Sequence, residues 1–535
     1  MTPDNVQNAL RRHEIAKAKR MPWLSIWRET SRFVNPIKDH IGMGLLGSKT
    51  PNIARHQLFD NTAQESLLVY AAGCMDWLTP ASRPWFRLDA PAHLSDNDNV
   101  KKWLAKCTEE MQAEIGRSNF YSQIHEAYID DGAFGTEALN TDEDDGLRFE
   151  LFEIGEYSAL MDHRGKVDTV FRELSLTPRQ AAQKFGIENL SQDMREVARD
   201  SQNRQGDEEV TFVHCCYPRE DREQGKIDAV NMPFVSIYIE EKTKHVVQES
   251  GSWEMPTAVG RHLTWGKSPY GFAPAWNALA EARQVNNLQM NLDVLAEVAA
   301  FPRVVAPSVL ESEIVLTKGG VTYVEDMAQS PRVWATEGRY DIGKDRVQER
   351  QNAIRRAFHV DLFNMFAQFP PGKEMTAMEV RARLDDKLTL FSPTFARKTG
   401  ELIDPTISRS FNIMLRGGAF PSPPREMIEF MGDGVLSIAD PKIKHSSRIA
   451  LAMDQIHNQG FANTLQTFAQ LFEYKPELLD NFNTDDAIRD SAMNFGTASD
   501  WLRDVDERDE MREARAQQQA EMAAQEQAMA MGGQA

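Results

Sequence analysis

The segment YGFAPAWNALAEARQVNNLQMNLDVLAEVAA (Tyr270–Ala300) sets the plan of this 535-residue chain. Pro274 stands where a first helical turn tolerates proline, because the missing N–H would be unpaired there anyway. Leu288, Leu292, Leu295 and Ala299 follow at alternating four- and three-residue steps and so share one helical face. Asn286, Asn287, Gln289, Asp293 and Glu297 occupy the others, and Pro302 ends the pattern. At about 1.5 Å per residue the helix is roughly 40 Å long, more than most globular domains need. A second helix is predicted from Lys344 to Phe366, with Val347, Ile354, Phe358, Leu362 and Phe366 at similar spacing and Arg346, Arg350, Arg355 and Arg356 between them. Together they predict a hairpin tipped by a small strand-containing lobe, Val304 to Trp334. The same spacing also fits two ordinary core helices joined by a loop.

Outward from this hairpin, composition bounds the function. The formal charge of −20 argues against a surface that grips nucleic acid throughout, since affinity for phosphates comes from Lys and Arg. It leaves room for a protein that lets DNA pass without holding it. The longest apolar run, Leu67 to Met75, is far short of a bilayer span, and the N-terminus lacks the apolar core of a signal peptide, so no membrane partner is expected. Cys74, Cys107, Cys215 and Cys216 have neither metal-ligand spacing nor disulfide-scaffold density. His214-Cys215-Cys216 invites a metal site, but Val210 to His214 alternates as a strand, which points adjacent cysteines to opposite faces.

Several motifs fail on inspection. Gly42-x-Gly44-x-x-Gly47 precedes Ser48-Lys49-Thr50, but the lysine comes one place late for a phosphate loop, and no apolar strand leads in as a dinucleotide site requires. The acidic turn Asp142–Gly146 misplaces the glycine of a calcium loop and carries Leu151 at the twelfth position. Nucleophile-elbow and zinc-helix motifs are absent. No catalytic, cofactor or metal residues are therefore assigned.

In chain order, helices are expected over Asn5–Val34, from Thr62 through Trp77, over Val100–Arg117 and over Phe120–Asp131. A hairpin should follow over Gly132–Glu153, then a Pro178-started helix ending at Gly186, and antiparallel strands over Val210–Val247. After the loop Phe369–Glu374, a Thr376/Glu379 capping box opens a helix to about Leu390, and Pro393 and Pro405 should each break or kink the run to Leu415. From Ser446 the pattern is helical and acidic, closing in a Gln/Ala/Met-rich tail expected to fray.

Three blocks carry a resemblance: Trp23 to Pro36; Leu58-Phe59-Asp60-Asn61-Thr62 through Leu78-Thr79-Pro80 and Arg83-Pro84-Trp85-Phe86; and Ser268-Pro269-Tyr270-Gly271 followed later by Thr376-Ala377-x-Glu379-Val380. Their order and spacing resemble the bacteriophage head-to-tail connecting proteins, the portal proteins of T7-like short-tailed phages. The resemblance implies an α+β, mostly helical portal fold assembled as a dodecameric ring around a DNA channel, at one capsid vertex of the virion. By position, 1–272 is an N-terminal wing, 273–301 and 344–366 the stem, 302–343 the clip, 367–376 a tunnel loop, 377–440 wing helices, 441–515 a helical crown and 516–535 a tail.

It further implies contact with passing double-stranded DNA by Lys373, Arg346, Arg350, Arg355 and Arg356. The arginines have a rival reading as ion-pair partners of an adjacent subunit's acids. Leu288, Leu292, Leu295, Ile354, Phe358 and Leu362 are expected to pack between subunits. Val321, Tyr323 and Val324 of the clip are expected to meet the large terminase subunit and then tail adaptor or tail-tube proteins. Major capsid and scaffold proteins complete the expected partners, with assembly in the host cytoplasm. Rival readings are another oligomeric virion component, such as a scaffold or tail-tube adaptor, or an unrecognised nucleic-acid-processing enzyme.

Overall fold

The computed structural model describes residues 3–38, 41, 58–95, 97–143, 146–199, 208–223, 226, 228–301, 304–305, 326, 328, 330, 332–333, 340–363, 391–430, 436–446, 485, 488 and 505–532. The glycines at 42–47, Val321, Tyr323, Val324, Phe366, Lys373 with its loop, the Thr376/Glu379 box and most of the expected crown lie outside these. The chain forms two units, Met1–Lys444 and His445–Ala535.

In the first unit, helix α1 (Pro3–Phe33) presents Val6, Ala9 and Ala16 to a sheet. The small alanines let the helix approach closely. Helix α2 (Thr62–Leu78), strand β1 (Phe86–Asp89), and helices α3 (Asp98–Arg117) and α4 (Phe120–Phe134) follow. Gly135 closes α4 at φ +75, where an added Cβ would lie 2.6 Å from the Ala273 backbone nitrogen; glycine fits the cap for both reasons. The chain then enters β2 (Thr136–Glu143) and β3 (Leu147–Phe152), the expected hairpin.

A five-stranded antiparallel sheet comprises β4 (Tyr157–Met161), β5 (Val167–Leu176), β6 (Val210–Pro218), β7 (Phe234–Glu240) and β8 (Val246–Ser252), in that order. Between β5 and β6 lie α5 (Pro178–Phe185), opened by a Thr177/Gln180 capping box, and α6 (Gln192–Arg199). Cys215 packs in the core beneath α1. His214 stacks on Tyr238 with ring centroids 4.2 Å apart. Among the described residues no His, Cys, Asp and Glu cluster could hold a metal ion, and no helix is long and apolar enough to cross a membrane. All four cysteines are free and buried.

Strand β9 (Thr257–Arg261) adds to the far side of β2, giving the sheet β3-β2-β9. Helix α7 (Pro274–Ala300) leaves it and packs against α8 (Tyr340–Ala357). Two-residue strands β10 (Val304–Val305) and β11 (Arg332–Val333) pair antiparallel between them. The second long helix departs from its expected course. It stops at Ala357, His359 takes a left-handed φ of 54, and a short helix α9 (Val360–Phe363) resumes. On an unbroken helix Phe358 and Phe363 would point about 140° apart, at about 100° per residue. The break turns both rings onto Tyr70 of α2.

Pro405 is also absorbed differently from expectation. Residues 391–398 are helical, Thr399–Ile403 form a π turn, and α10 (Asp404–Arg416) continues with Pro405 in its first turn. The wider turn bonds the Asp404 N–H to the Thr399 carbonyl, and the proline's missing donor falls where the ladder is already rearranged. In the second unit, α11 (Val505–Gly532) is helical through the tail expected to fray. Ala, Gln, Met and Glu are all strong helix formers, which accounts for the difference.

Candidate functional site

The α7/α8 pair is held at its base by polar bonds that no local spacing announces. Arg350 Nη1 lies 2.5 Å from Glu281 Oε2, and Arg283 Nη1 lies 2.6 Å from Glu29 Oε1 of α1. Asn286 Oδ1 accepts from the Phe59 N–H at 2.7 Å, and Gln351 donates to Asp60 at 2.6 Å. Asp60 thereby ties the start of α2 to the hairpin. Farther out, a Cβ on Gly343 would fall 2.6 Å from Leu292 Cδ2, so the helices touch with no room for a larger residue.

Within the single chain, part of the expected seam between subunits is already covered. Ile354 and Phe358 are wholly buried, and Leu362 nearly so, inside the single chain. Leu292 is also buried, while Leu288 and Leu295 are half-buried. Ile354, Phe358 and Leu362 have little surface left for a neighbour, because α2 and α7 already cover them. Arg350 has an acid partner within the chain, Glu281. Arg346 lies 3.7 Å from Glu349 on the exposed surface, Arg355 donates to Asn352 at 3.2 Å, and Arg356 is exposed. These three remain at the surface of α8.

Beneath the hairpin lies a buried ionic hub. Lys398 Nζ is 2.5 Å from Asp131 Oδ2 and 3.8 Å from Glu137 Oε1, with all three side chains inaccessible to solvent. The same Asp131 oxygen accepts from Tyr70 OH at 2.5 Å and contacts His262 Nδ1 at 3.2 Å. Burial opposes the lysine's charge, but attraction from Asp131 and Glu137 holds its pKa above the ordinary value. Burial would lift Asp131 as well; Lys398 and His262 reverse this and keep it below the usual carboxylate range. Glu137 goes the other way. Burial pushes it well up, Lys398 only partly opposing and Asp131 adding to the rise. Through these contacts helix 391–398 is fastened to α2, α4 and β2.

The neighbouring turn is fastened as firmly. Arg261 makes a two-pronged bond to Glu401, at 2.9 Å from Nε and 2.6 Å from Nη2. Arg409 donates to the Thr141 carbonyl at 2.7 Å, and Arg416 pairs with Glu254 at 2.8 Å. Phe363 and Phe391, which bracket residues 364–390, lie with ring centroids 5.8 Å apart. The two residues that flank that segment therefore meet on one anchored base.

Comparison with known proteins decides the family. The model of the bacteriophage head to tail connecting protein matches residues 6–502. The chain belongs to that family. The connector is 31% identical over 481 residues to a probable portal protein of Bordetella phage BPP-1, covering 88% of this chain and 83% of the relative. It is 30% identical over 529 residues to the portal protein of Salmonella phage epsilon15, covering 96% and 91%. A chain from the virion of a native gene transfer agent particle matches at TM-score 0.36 and 9% identity over 76% of this chain and 87% of its own, a distant likeness from which nothing is drawn. The connector is thus a bacteriophage virion component of the portal type, with a mixed helix-and-sheet fold.

On this connector, sequence reasoning missed a second stripe on α7. Val294 and Phe301 are 53% and 84% exposed, Met290 is 39% exposed and Val298 half-buried. Met290, Val294 and Val298 recur at steps of four and so share one face of α7, opposite the one that buries Val285 and Leu292, and Phe301 caps the helix just beyond them. The signal was present in the sequence: α7 is apolar on two faces, and only one can turn inward.

Proposed function

We propose that the connector assembles as a closed dodecameric ring at one capsid vertex, forming the conduit for double-stranded DNA during packaging and ejection. The observation that carries this reading is the stripe of exposed Met290 and Val294 with half-buried Val298, on a helix whose opposite face is already buried and whose C-cap is the exposed Phe301. A monomer gains nothing from such a stripe. A head-to-tail contact that closes into a ring buries it on every copy and leaves no open end for fibres. The stem is 273–301 with 344–366, and the inter-subunit seam runs along this stripe.

The acidic balance of the chain supports a bore that repels phosphate rather than gripping it. Exposed Arg346 and Arg356 and half-buried Arg355, with Lys373 of the 367–376 loop, supply transient contacts to the DNA backbone. Residues 302–343 form the clip, where Val321, Tyr323 and Val324 meet the large terminase subunit during filling and tail adaptor or tube proteins afterwards. ATP is hydrolysed by the terminase and not by the connector. Capsid and scaffold proteins surround the wing, and the ring forms in the host cytoplasm before entering the virion.

Negative-stain imaging of the purified protein tests the assembly. Rings with a central hole are expected; a monomer under all capsid-like conditions overturns the reading. Deleting 311–326 should abolish terminase binding, and normal packaging by that deletion would refute the clip assignment.

A further inference from the structure

A groove of about 540 Å³ opens between helices α5 and α6 and the paired strands β6 and β7. Asp193, Glu208, Glu209, Glu240 and Glu241 line it against one lysine, Lys242. Four of these acids are exposed and by themselves amount to a solvated rim. Glu240 differs. It is only 3% exposed, and its Oε2 is buried with no hydrogen-bond partner among the described residues. Its backbone is already used, the N–H donating to His245 and the carbonyl accepting from Lys244, both at 2.9 Å. A carboxylate kept from water and left unpaired is costly, and a cation seated against it relieves that cost.

The described residues hold no acidic cluster convergent enough for a metal ion, so the cation that fits is an organic one. Met194, Val197 and Val210 supply an apolar wall beside the carboxylates. Arginine and lysine match this arrangement, since their stems lie on apolar surface while the head keeps its charge. We propose that the groove is a docking site for a basic segment of a partner protein, whose Arg or Lys side chain runs along Met194 and Val197 and places its charge on Glu240. The rim acids draw that segment in and hold its flanking residues, and the net charge of −20 favours approach of basic partners generally. This inference does not depend on the ring or on the DNA conduit.

The test is fluorescence anisotropy of a labelled arginine-containing peptide on the full-length protein, in about 0.15 M salt, where long-range attraction is screened beyond about 8 Å. Saturable binding is expected, lost when citrulline replaces arginine. Glu240→Gln, which keeps the side chain's shape, should weaken binding by about tenfold or more, the scale of one lost charge-assisted bond. Should that variant not fold, Asp193→Asn/Glu241→Gln on the rim should still weaken it several-fold. Glu507→Gln/Glu510→Gln/Glu513→Gln on α11 removes charge elsewhere and should leave binding unchanged.

Equal weakening by the α11 variant would show bulk attraction and overturn the site. So would binding that appears only after Arg204→Ala, which would make the occupant the chain's own arginine. Calcium titration that saturates and is abolished by Glu240→Gln would make the groove a metal site and overturn the basic-segment proposal.

Discussion

Lys398 Nζ sits 2.5 Å from Asp131 Oδ2 with both side chains sealed from water, joining the helix that follows residues 364–390 to α4. Breaking such a pair from one side strands the other charge, at a cost of about 3–5 kcal/mol. Lys398→Met should therefore destabilise the first unit by about that much in chemical denaturation. The double variant Lys398→Met/Asp131→Leu should recover much of the loss, because no charge is then left unpaired. Equal destabilisation by single and double variants would show that packing, and not charge pairing, is what the hub provides.

His214 predicts a window of acid sensitivity. Burial, then the charges of Arg172 and Lys184, lower its pKa to about 3, well under the ordinary value of about 6.5. The folded state keeps it neutral while the unfolded chain takes up a proton, so its contribution is intact above about pH 6.5 and is lost as pH falls toward 3. His214→Phe, which preserves the stack on Tyr238, should flatten the fall in stability between about pH 6 and 4, where each tenfold difference in proton affinity between the two states corresponds to about 1.4 kcal/mol. An unchanged slope in urea titrations across that range would remove His214 as a source.

Glu173 should act at lower pH. Burial would raise its pKa, but hydrogen bonds to His13 and Lys17 and the charge of Arg20 hold it far below the usual carboxylate range. Stability from a depressed carboxylate is present above its unfolded pKa of about 4.3 and lost as pH falls through the folded one. His13, Lys17 and Arg20 of α1 converge on this one side chain of β5, so protonating it should release α1 from the sheet. Glu173→Gln should free α1 even at neutral pH, read as faster hydrogen exchange over 6–24 with the sheet amides still protected. Simultaneous loss of protection in both would mean that α1 and the sheet unfold as one unit.

The extent to which these features could be read from the chain follows how local their causes are. The α5 helix was legible because Thr177, Pro178 and Gly186 define it within ten positions. The β6 strand was legible because its alternation is read without knowing its partners. The hub was not. Asp131, Lys398, His262 and Tyr70 each look ordinary in their own surroundings, and only folding brings them together across as many as 328 positions. The break at His359 was hidden for a related reason: no Gly or Pro marks it, and the cause is where Phe358 and Phe363 find α2. On α7 the periodicity identified one apolar face correctly, yet could not say which of two faces the rest of the chain would cover.

The two faces of α7 separate assembly from folding. Val294 is 53% exposed, so Val294→Asp adds a charge to a position that water already reaches, and the isolated chain should lose less than about 0.5 kcal/mol. In the ring proposed above the same position would be covered by a neighbour, and the aspartate would be buried on every copy with no cation to meet it. Leu292 is only 9% exposed and lies against Gly343, where no space exists for rearrangement. Leu292→Asp should therefore unfold the hairpin before assembly becomes a question. The expected pair of results is a folded, non-assembling Val294→Asp protein and a misfolded Leu292→Asp protein, read by circular dichroism and by analytical ultracentrifugation. Rings formed by Val294→Asp as readily as by the unaltered chain would remove this stripe from the subunit interface, so that another part of the chain would have to supply the apolar contact with a neighbour.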